Sequence, residues 1–263
     1  MHIGLKPKNI VIVGGASGIG FATAEKLLES GAKNIILASR NIDKLNAAKA
    51  RLKPDSLQKV YVLNFDITNI SEQEKFLEKA QRIIGADNIL DGLVISSGVN
   101  FDGSNWKGFN ISERDWDNVM NTNLKGVFFL IRNFANLLYA NQIKGNICVV
   151  SSISAHRDML SVYQITKKIL SGIVHTYGKY LAERGVILNA VEPGPVYSDM
   201  MQHLSQFTDG KTPGKPWPDN SIKRTIRAEE IAEIIYFLMT EMGEPLSGSC
   251  VLAGGGTKSI FLG

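Results

Sequence analysis

Apolar residues fall into short runs that end at turn residues: Asn9–Val13, Asn34–Ala38, Lys59–Asn64, Gly92–Ser96, Gly145–Ser151 and Ile187–Val191, with Cys250–Ala253 near the end. None alternates cleanly with polar residues, which predicts parallel strands covered on both faces. Between the runs the spacing turns helical. Phe76, Leu77, Ala80, Ile83 and Ile84 recur at i, i+1, i+4, i+7 and i+8, and Ile231, Ile234, Ile235 and Leu238 at i, i+3, i+4 and i+7. Strand alternating with helix builds βαβ units, so the predicted class is α/β: a doubly wound parallel sheet of about seven strands with helices on both faces. No short repeat or low-complexity tract divides residues 1–263, and one domain is expected. Five of the eight prolines (Pro193, Pro195, Pro213, Pro216 and Pro218) share one stretch. Residues 197–226 therefore read as a long loop with a short helix, the natural place for a substrate lid.

Composition removes whole classes of protein. At 44% apolar and 21% charged residues, the chain is neither disordered nor fibrous. Cys148 and Cys250 are too few for a disulfide framework and lack zinc-ligand spacing, as expected in a reducing compartment. The excess of 29 Lys+Arg over 25 Asp+Glu is too small and too dispersed to argue for nucleic acid or a membrane surface. Met1–Lys8 lacks a signal-peptide layout, and no segment approaches the ~18 apolar residues of a membrane span, so a soluble, cytoplasmic protein is expected. His2, His156, His175 and His203 are scattered, which leaves no expected metal site. A Gly-x-Ser-x-Gly elbow is absent, so a serine hydrolase has no support.

The first run leads directly into Gly14-Gly15-Ala16-Ser17-Gly18-Ile19-Gly20, followed by a helical pattern through Leu28. A dinucleotide pyrophosphate rests on backbone N–H groups at a helix N-terminus, and residues without Cβ let the backbone approach it. The bland alternative is an ordinary tight turn between strand and helix. A nucleoside triphosphate loop is a poor competitor. Its only fragment, Gly210-Lys211-Thr212, has Ser205 where the upstream glycine belongs and Pro213 at the helix start. The second run ends Ala38-Ser39-Arg40 with no carboxylate to accept from an adenosine 2′-hydroxyl, since Asp43 comes too late. Arg40, helped by the Ser39 hydroxyl, suits a 2′-phosphate instead, which favours NADP(H) over NAD(H). The alternative is a solvated arginine that opens a helix.

Two apolar stripes carry polar residues. Asn123 falls on the face of Trp116, Met120, Val127, Ile131 and Phe134, where an unpaired amide costs about 1–3 kcal/mol. Lys167 falls on the stripe of Tyr163, Leu170 and Val174. Each has a structural reading, a satisfied asparagine or a snorkelling lysine. Together with a serine from Val150-Ser151-Ser152-Ile153-Ser154 they suit hydride transfer to a carbonyl. A phenol would give the proton, an ammonium would lower the phenol's pKa, and a serine hydroxyl would hold the oxygen.

These residues resemble the short-chain dehydrogenase/reductase family, from about residue 8 to 256. Gly14, Gly18 and Gly20 match its Gly-x3-Gly-x-Gly, and Asn123-Leu124-Lys125-Gly126 its Asn-Leu-x-Gly. Tyr163 and Lys167 match its Tyr-x3-Lys, and Pro193-Gly194 its step after the sixth strand. The resemblance implies a Rossmann fold and a catalytic set of Asn123, Ser152 (Ser151 as fallback), Tyr163 and Lys167. Tyr163 would be the general acid/base, Lys167 would hold the nicotinamide ribose, Ser152 would orient the substrate oxygen, and Asn123 would hold a relay water. The implied NADP(H) contacts are Gly14, Ser17, Gly18, Ile19, Gly20, Ser39, Arg40, Asp66, Ile67, Ser96, Ser97, Gly98, Tyr163, Lys167, Pro193, Gly194, Val196 and Ser198. Departures from the pattern are Val13 for threonine, Ile95-Ser96-Ser97-Gly98 for Asn-Asn-Ala-Gly, Ala253-Gly254-Gly255 for Asp-Gly-Gly, and a short serine-to-tyrosine spacing.

The expected activity is interconversion of a small ketone and a secondary alcohol. Alternatives are an NAD-dependent alcohol dehydrogenase, a 3-oxoacyl thioester reductase, a dehydratase or epimerase, and a non-catalytic dinucleotide-binding regulator. Phe101, Trp106, Phe109 and Trp217 either wall an apolar substrate pocket or pack on the chain's own surface. His156-Arg157 reads as a solvated loop pair or a substrate contact. Lys211, Lys215, Lys223 and Arg224 read as solvated or as attracting an anionic substrate. Family resemblance also implies a homo-oligomer, tetramer or dimer, through the helices of Asn123 and Tyr163, with Leu246–Phe261 able to pack on a neighbour.

Overall fold

A computed structural model describes residues 4, 5, 8–100, 111–158, 161–197 and 205–257. Its strands are β1 (Asn9–Val13), β2 (Asn34–Ser39), β3 (Lys59–Asn64), β4 (Gly92–Ile95), β5 (Gly145–Val150), β6 (Val186–Pro193) and β7 (Cys250–Ala253). They form one parallel sheet in the order β3-β2-β1-β4-β5-β6-β7. The helices are α1 (Gly18–Glu29), α2 (Ile42–Arg51), α3 (Gln73–Ile83), α4 (Glu113–Met120), α5 (Gly126–Ala140), α6 (Val162–Ala182) and α7 (Ala228–Leu238). This is the doubly wound Rossmann arrangement the pattern predicts.

Successive strand residues point to opposite faces, and here both faces are covered. Ile10 and Ile12 of β1 pack with Leu27, Leu45, Ile231 and Ile235 from α1, α2 and α7. Val11 and Val13 pack with Leu77, Leu130, Phe134 and Leu170 from α3, α5 and α6. Every residue of β1, β5 and β6 is buried, which explains the missing alternation in sequence. The strand order reverses between β1 and β4, opening a crevice at the carboxyl ends of the strands where such sheets take ligands.

One helical expectation needs correction. The face from Trp116 to Phe134 is not continuous, because a π-helical turn, Asn121–Lys125, separates α4 from α5. The wider turn rotates the two halves apart, leaving Trp116 38% exposed while Phe134 is in the core. Residues 205–226 lie mostly without regular structure, carrying the bridges Val196↔Ile226 and Phe207↔Lys215. Arg224 ties this segment to α7 through two contacts with Glu230, at 2.7 and 2.6 Å. It is therefore not the free cation that an anionic substrate would need. Among the described residues, no helix is long and apolar enough to cross a membrane, and no cluster of His, Cys, Asp or Glu suits a metal.

Candidate active site

A cleft of about 890 Å³ runs along the strand ends, from the residues after β2 to Pro193-Gly194 at the end of β6. At its centre β1 turns into α1. Gly14 and Gly18 have φ of +87° and +52°, conformations that side-chain-bearing residues rarely adopt. Gly20 lies behind the turn rather than on the cleft wall, where a Cβ would stand 2.2 Å from the Gly14 carbonyl oxygen. Its bareness lets α1 pack against the turn. Ser17 caps α1 without a side-chain hydrogen bond, so its hydroxyl occupies none of the first-turn N–H groups that would meet a phosphate.

Ser39 and Arg40 line the far end of the cleft, joined by Asn41 and Lys44. The Arg40 carbonyl is held by Asn64 Nδ2 at 2.6 Å, while its side chain is exposed. Lys44 escaped sequence reasoning, although its place four residues past Arg40, at the start of α2, is a readable signal. Asp66 and Ile67 wall the adjoining stretch. The Asp66 carboxylate accepts from the Thr68 backbone N–H at 2.9 Å and the Thr68 hydroxyl at 2.7 Å, which fixes this bend.

Ser96, Ser97 and Gly98 also line the cleft. Asn123 does not. It is 1% exposed, and its amide clamps the loop after β4 by accepting from Val99 N–H and donating to Val99 carbonyl, both at 2.8 Å. These bonds satisfy the buried amide that the sequence left unexplained. They direct the side chain to backbone support.

Adjacent residues at the end of β5 point in opposite directions, and this separates the two candidate serines. Ser151 faces away, its hydroxyl 3.3 Å from Ser171 Oγ and 3.4 Å from the Lys167 carbonyl oxygen. Ser152 faces the cleft, accepts from Ser154 N–H at 3.1 Å, and lies near enough to the Tyr163 hydroxyl to lower its pKa. Ser161 caps α6, accepting from Gln164 N–H at 3.2 Å, and so starts the helix just ahead of Tyr163. One turn later Lys167 Nζ lies 5.5 Å from the centre of the Tyr163 ring and donates to the Val150 carbonyl at 3.0 Å.

Burial dominates the electrostatics of this pair. It raises the Tyr163 pKa above the usual phenol value, with the Ser152 hydroxyl working the other way. It also lowers Lys167 to about 8. The ammonium was expected to bring the phenol down. That expectation joins the ammonium to an oxidised nicotinamide; among the protein's own groups, burial is the largest influence on the phenol.

The residues fit a dinucleotide. Lys167 is 4% exposed and gives only one of its three N–H groups to Val150, leaving donors for ribose hydroxyls. The Ser97 and Thr122 hydroxyls, buried in residues that line the cleft, have no partner among the described residues. Pro193, Gly194 and Val196 close the end beside Ser152 and Tyr163. Trp217 joins them, its ring edge-to-face on Phe207 with centroids 4.7 Å apart. Ser198, Phe101, Trp106 and Phe109 lie outside the described residues. His156 and Arg157 are not a solvated pair: His156 meets Glu192 at 2.5 Å and Arg157 meets Asp219 at 2.7 Å.

Comparison with known proteins agrees with this geometry. The model of the short chain dehydrogenase family matches residues 8–209, and the chain belongs to that family. It is 29% identical over 262 residues to L-rhamnose 1-dehydrogenase (NADP(+)) of Thermoplasma acidophilum, covering 95% of this chain and 96% of that protein. It is also 29% identical over 259 residues to the 3-oxoacyl-(acyl-carrier-protein) reductase of Thermotoga maritima, covering 96% and 98%. A glucose/ribitol dehydrogenase-type structure from Brucella melitensis superposes with a TM-score of 0.80 at 24% identity over the whole of both chains, which supports the fold. The protein is thus an oxidoreductase that acts on alcohol or ketone groups with a nicotinamide dinucleotide.

Proposed function

We propose that the protein interconverts a small ketone and a secondary alcohol with NADP(H), using Tyr163 as general acid/base. One observation carries this reading. Ser152, Tyr163 and Lys167, with Lys167 Nζ 5.5 Å from the centre of the Tyr163 ring, line the same cleft as the glycine turn. The bound coenzyme supplies a hydride to the carbonyl carbon, or takes one back. Tyr163 Oη donates its proton to the oxygen that gains charge, and Ser152 Oγ holds that oxygen in line. Lys167 offsets the charge of the phenolate left behind, and its remaining N–H groups hold the ribose. Asn123 fixes the loop after β4 through Val99, so that Ser96–Gly98 wall the coenzyme. Assaying a range of carbonyl compounds with NADPH, and of alcohols with NADP and NAD, tests the reaction class: turnover of a ketone and its alcohol is expected, and cofactor binding without any turnover contradicts it.

The choice of NADP(H) rests on Arg40 and Lys44, which line the end of the cleft, while Asp43 between them in sequence is not on its wall. Replacing Arg40 by Asp is expected to lower the kcat/KM ratio for NADPH over NADH at least about tenfold, by removing a charge-assisted contact and adding repulsion. Unchanged selectivity removes Arg40 from the site. The segment 197–226, with Trp217 on the cleft wall, acts as the substrate lid. Exposed Trp116, Ile169, Tyr177 and Tyr180 lie on α4 and α6, giving a homo-oligomer an apolar face for association. Light scattering is expected to give a dimer or tetramer mass, and a monomer mass at micromolar concentration contradicts this.

A further inference from the structure

A second polar cluster lies behind the cleft, and the proton path through Tyr163 does not use it. Glu192 of β6 immediately precedes Pro193 and is 0% exposed. A buried carboxylate is tolerated only when paired and hydrogen-bonded. Its Oε1 accepts from Ser171 Oγ at 2.6 Å, and its Oε2 meets His156 Nε2 at 2.5 Å. Ser171 sits one turn beyond Lys167 in α6, with its hydroxyl 3.1 Å from the Lys167 carbonyl oxygen. His156 closes the short 3-10 turn Ile153–His156, whose N-cap is Ser152. One carboxylate therefore grips both the helix that bears Tyr163 and Lys167 and the turn that follows Ser152.

Besides Ser171, His156 is the polar side chain that meets Glu192. The Cys250 thiol also faces the carboxylate, but burial first and Glu192 next push it up to about 12, so it stays protonated. Arg157, adjacent in sequence, reaches Asp219 instead. The imidazole is 41% exposed, so its side chain can be trimmed without opening the core.

We propose that Glu192 and His156 are positioning residues, clamping the Ile153–His156 turn to β6 and α6 so that the Ser152 hydroxyl stays in register with Tyr163. The catalytic consequence rests on the hydride-transfer reading above; the clamp itself does not. Removing the imidazole leaves the carboxylate with the Ser171 hydroxyl and the neutral Cys250 thiol, and water entering where the ring stood no longer ties the turn to β6. Glu192→Gln keeps the shape without the charge, so it should not need the imidazole.

Three readouts on the full chain test this: amide hydrogen exchange of the ligand-free protein, NADPH affinity, and kcat. His156→Ala is expected to speed exchange in residues 153–157 about tenfold and to lower kcat about tenfold. NADPH affinity should stay within about twofold, because the glycine turn and Arg40 are untouched. The double variant Glu192→Gln/His156→Ala is expected to restore exchange and kcat to within about threefold of wild type. A His156→Ala protein too unstable to assay but rescued by Glu192→Gln supports the clamp equally. Unaltered exchange in His156→Ala, or a double variant no better than the single one, overturns it. If exchange behaves as expected while wild-type enzyme reduces no carbonyl, the clamp stands and the hydride reading fails.

Discussion

Tyr163→Phe is expected to lower kcat by about 10²–10⁴-fold, the usual worth of a positioned proton donor, while NADPH binding stays near wild type. The substitution removes one oxygen and keeps the ring on its α6 stripe, so packing is unchanged. What disappears is the hydroxyl that faces Ser152. Ser152 cannot replace it, since an aliphatic hydroxyl is a far weaker acid than a phenol, and Lys167 points its Nζ at the Val150 carbonyl. Loss of the Ser152 contact should cost only about 1 kcal/mol of stability. Steady-state turnover beside a fluorescence titration with NADPH separates these effects. A variant that binds NADPH poorly and melts early would mean that the hydroxyl is structural.

Lys167→Met is expected to move activity and stability in opposite directions. Lys167 is buried, and desolvation holds its pKa at about 8 instead of 10.5. A lysine whose folded pKa lies below its unfolded value binds fewer protons when folded. The wild type should therefore gain stability as pH rises from about 8 to 10.5 and carry the penalty below that window. The shift corresponds to roughly 3 kcal/mol at neutral pH, partly offset by the lost bond to Val150, so Met should stabilise the fold by about 1–3 kcal/mol. Turnover should meanwhile fall about 10²-fold or more, and NADPH should bind more weakly. The wild-type reduction rate should decline as pH passes through about 8, when the ammonium loses its proton, and the variant should lack that decline. Urea unfolding and pH–rate profiles check both halves. A destabilised Met variant would mean that the ammonium has stabilising partners beyond Val150.

The sheet was legible because its strands are buried on both faces and so appear as unbroken apolar runs, while the reversal at β1 places the glycine turn beside the crevice. The limits of that legibility are local and physical. The seven-residue step from Met120 to Val127 suits a regular helix in sequence, yet a π-helical turn fills it and turns Trp116 outward. Ser151 and Ser152 are alike in composition, and only the pleat at the end of β5 decides which one meets Tyr163. Glu192 and His156 are thirty-six residues apart with no periodic relation, so nothing local announces their contact. The phenol shows the same limit: proximity of a lysine can be read from i, i+4 spacing, but the depth of burial that raises the Tyr163 pKa cannot. At the cofactor end Arg40 was legible from the strand end, and Lys44, four residues further on, was readable by the same spacing but overlooked.

Hydride transfer steered by the Tyr163 hydroxyl is the claim on which the rest depends. It is tested most directly with NADPH deuterated at the transferring carbon, supplied with a ketone that the wild type turns over. The account predicts one deuterium on the carbinol carbon of the product from wild-type enzyme, and a rate of label transfer at least about 10²-fold lower from Tyr163→Phe. Label lost to water, or carried over at the wild-type rate by Tyr163→Phe, would contradict it.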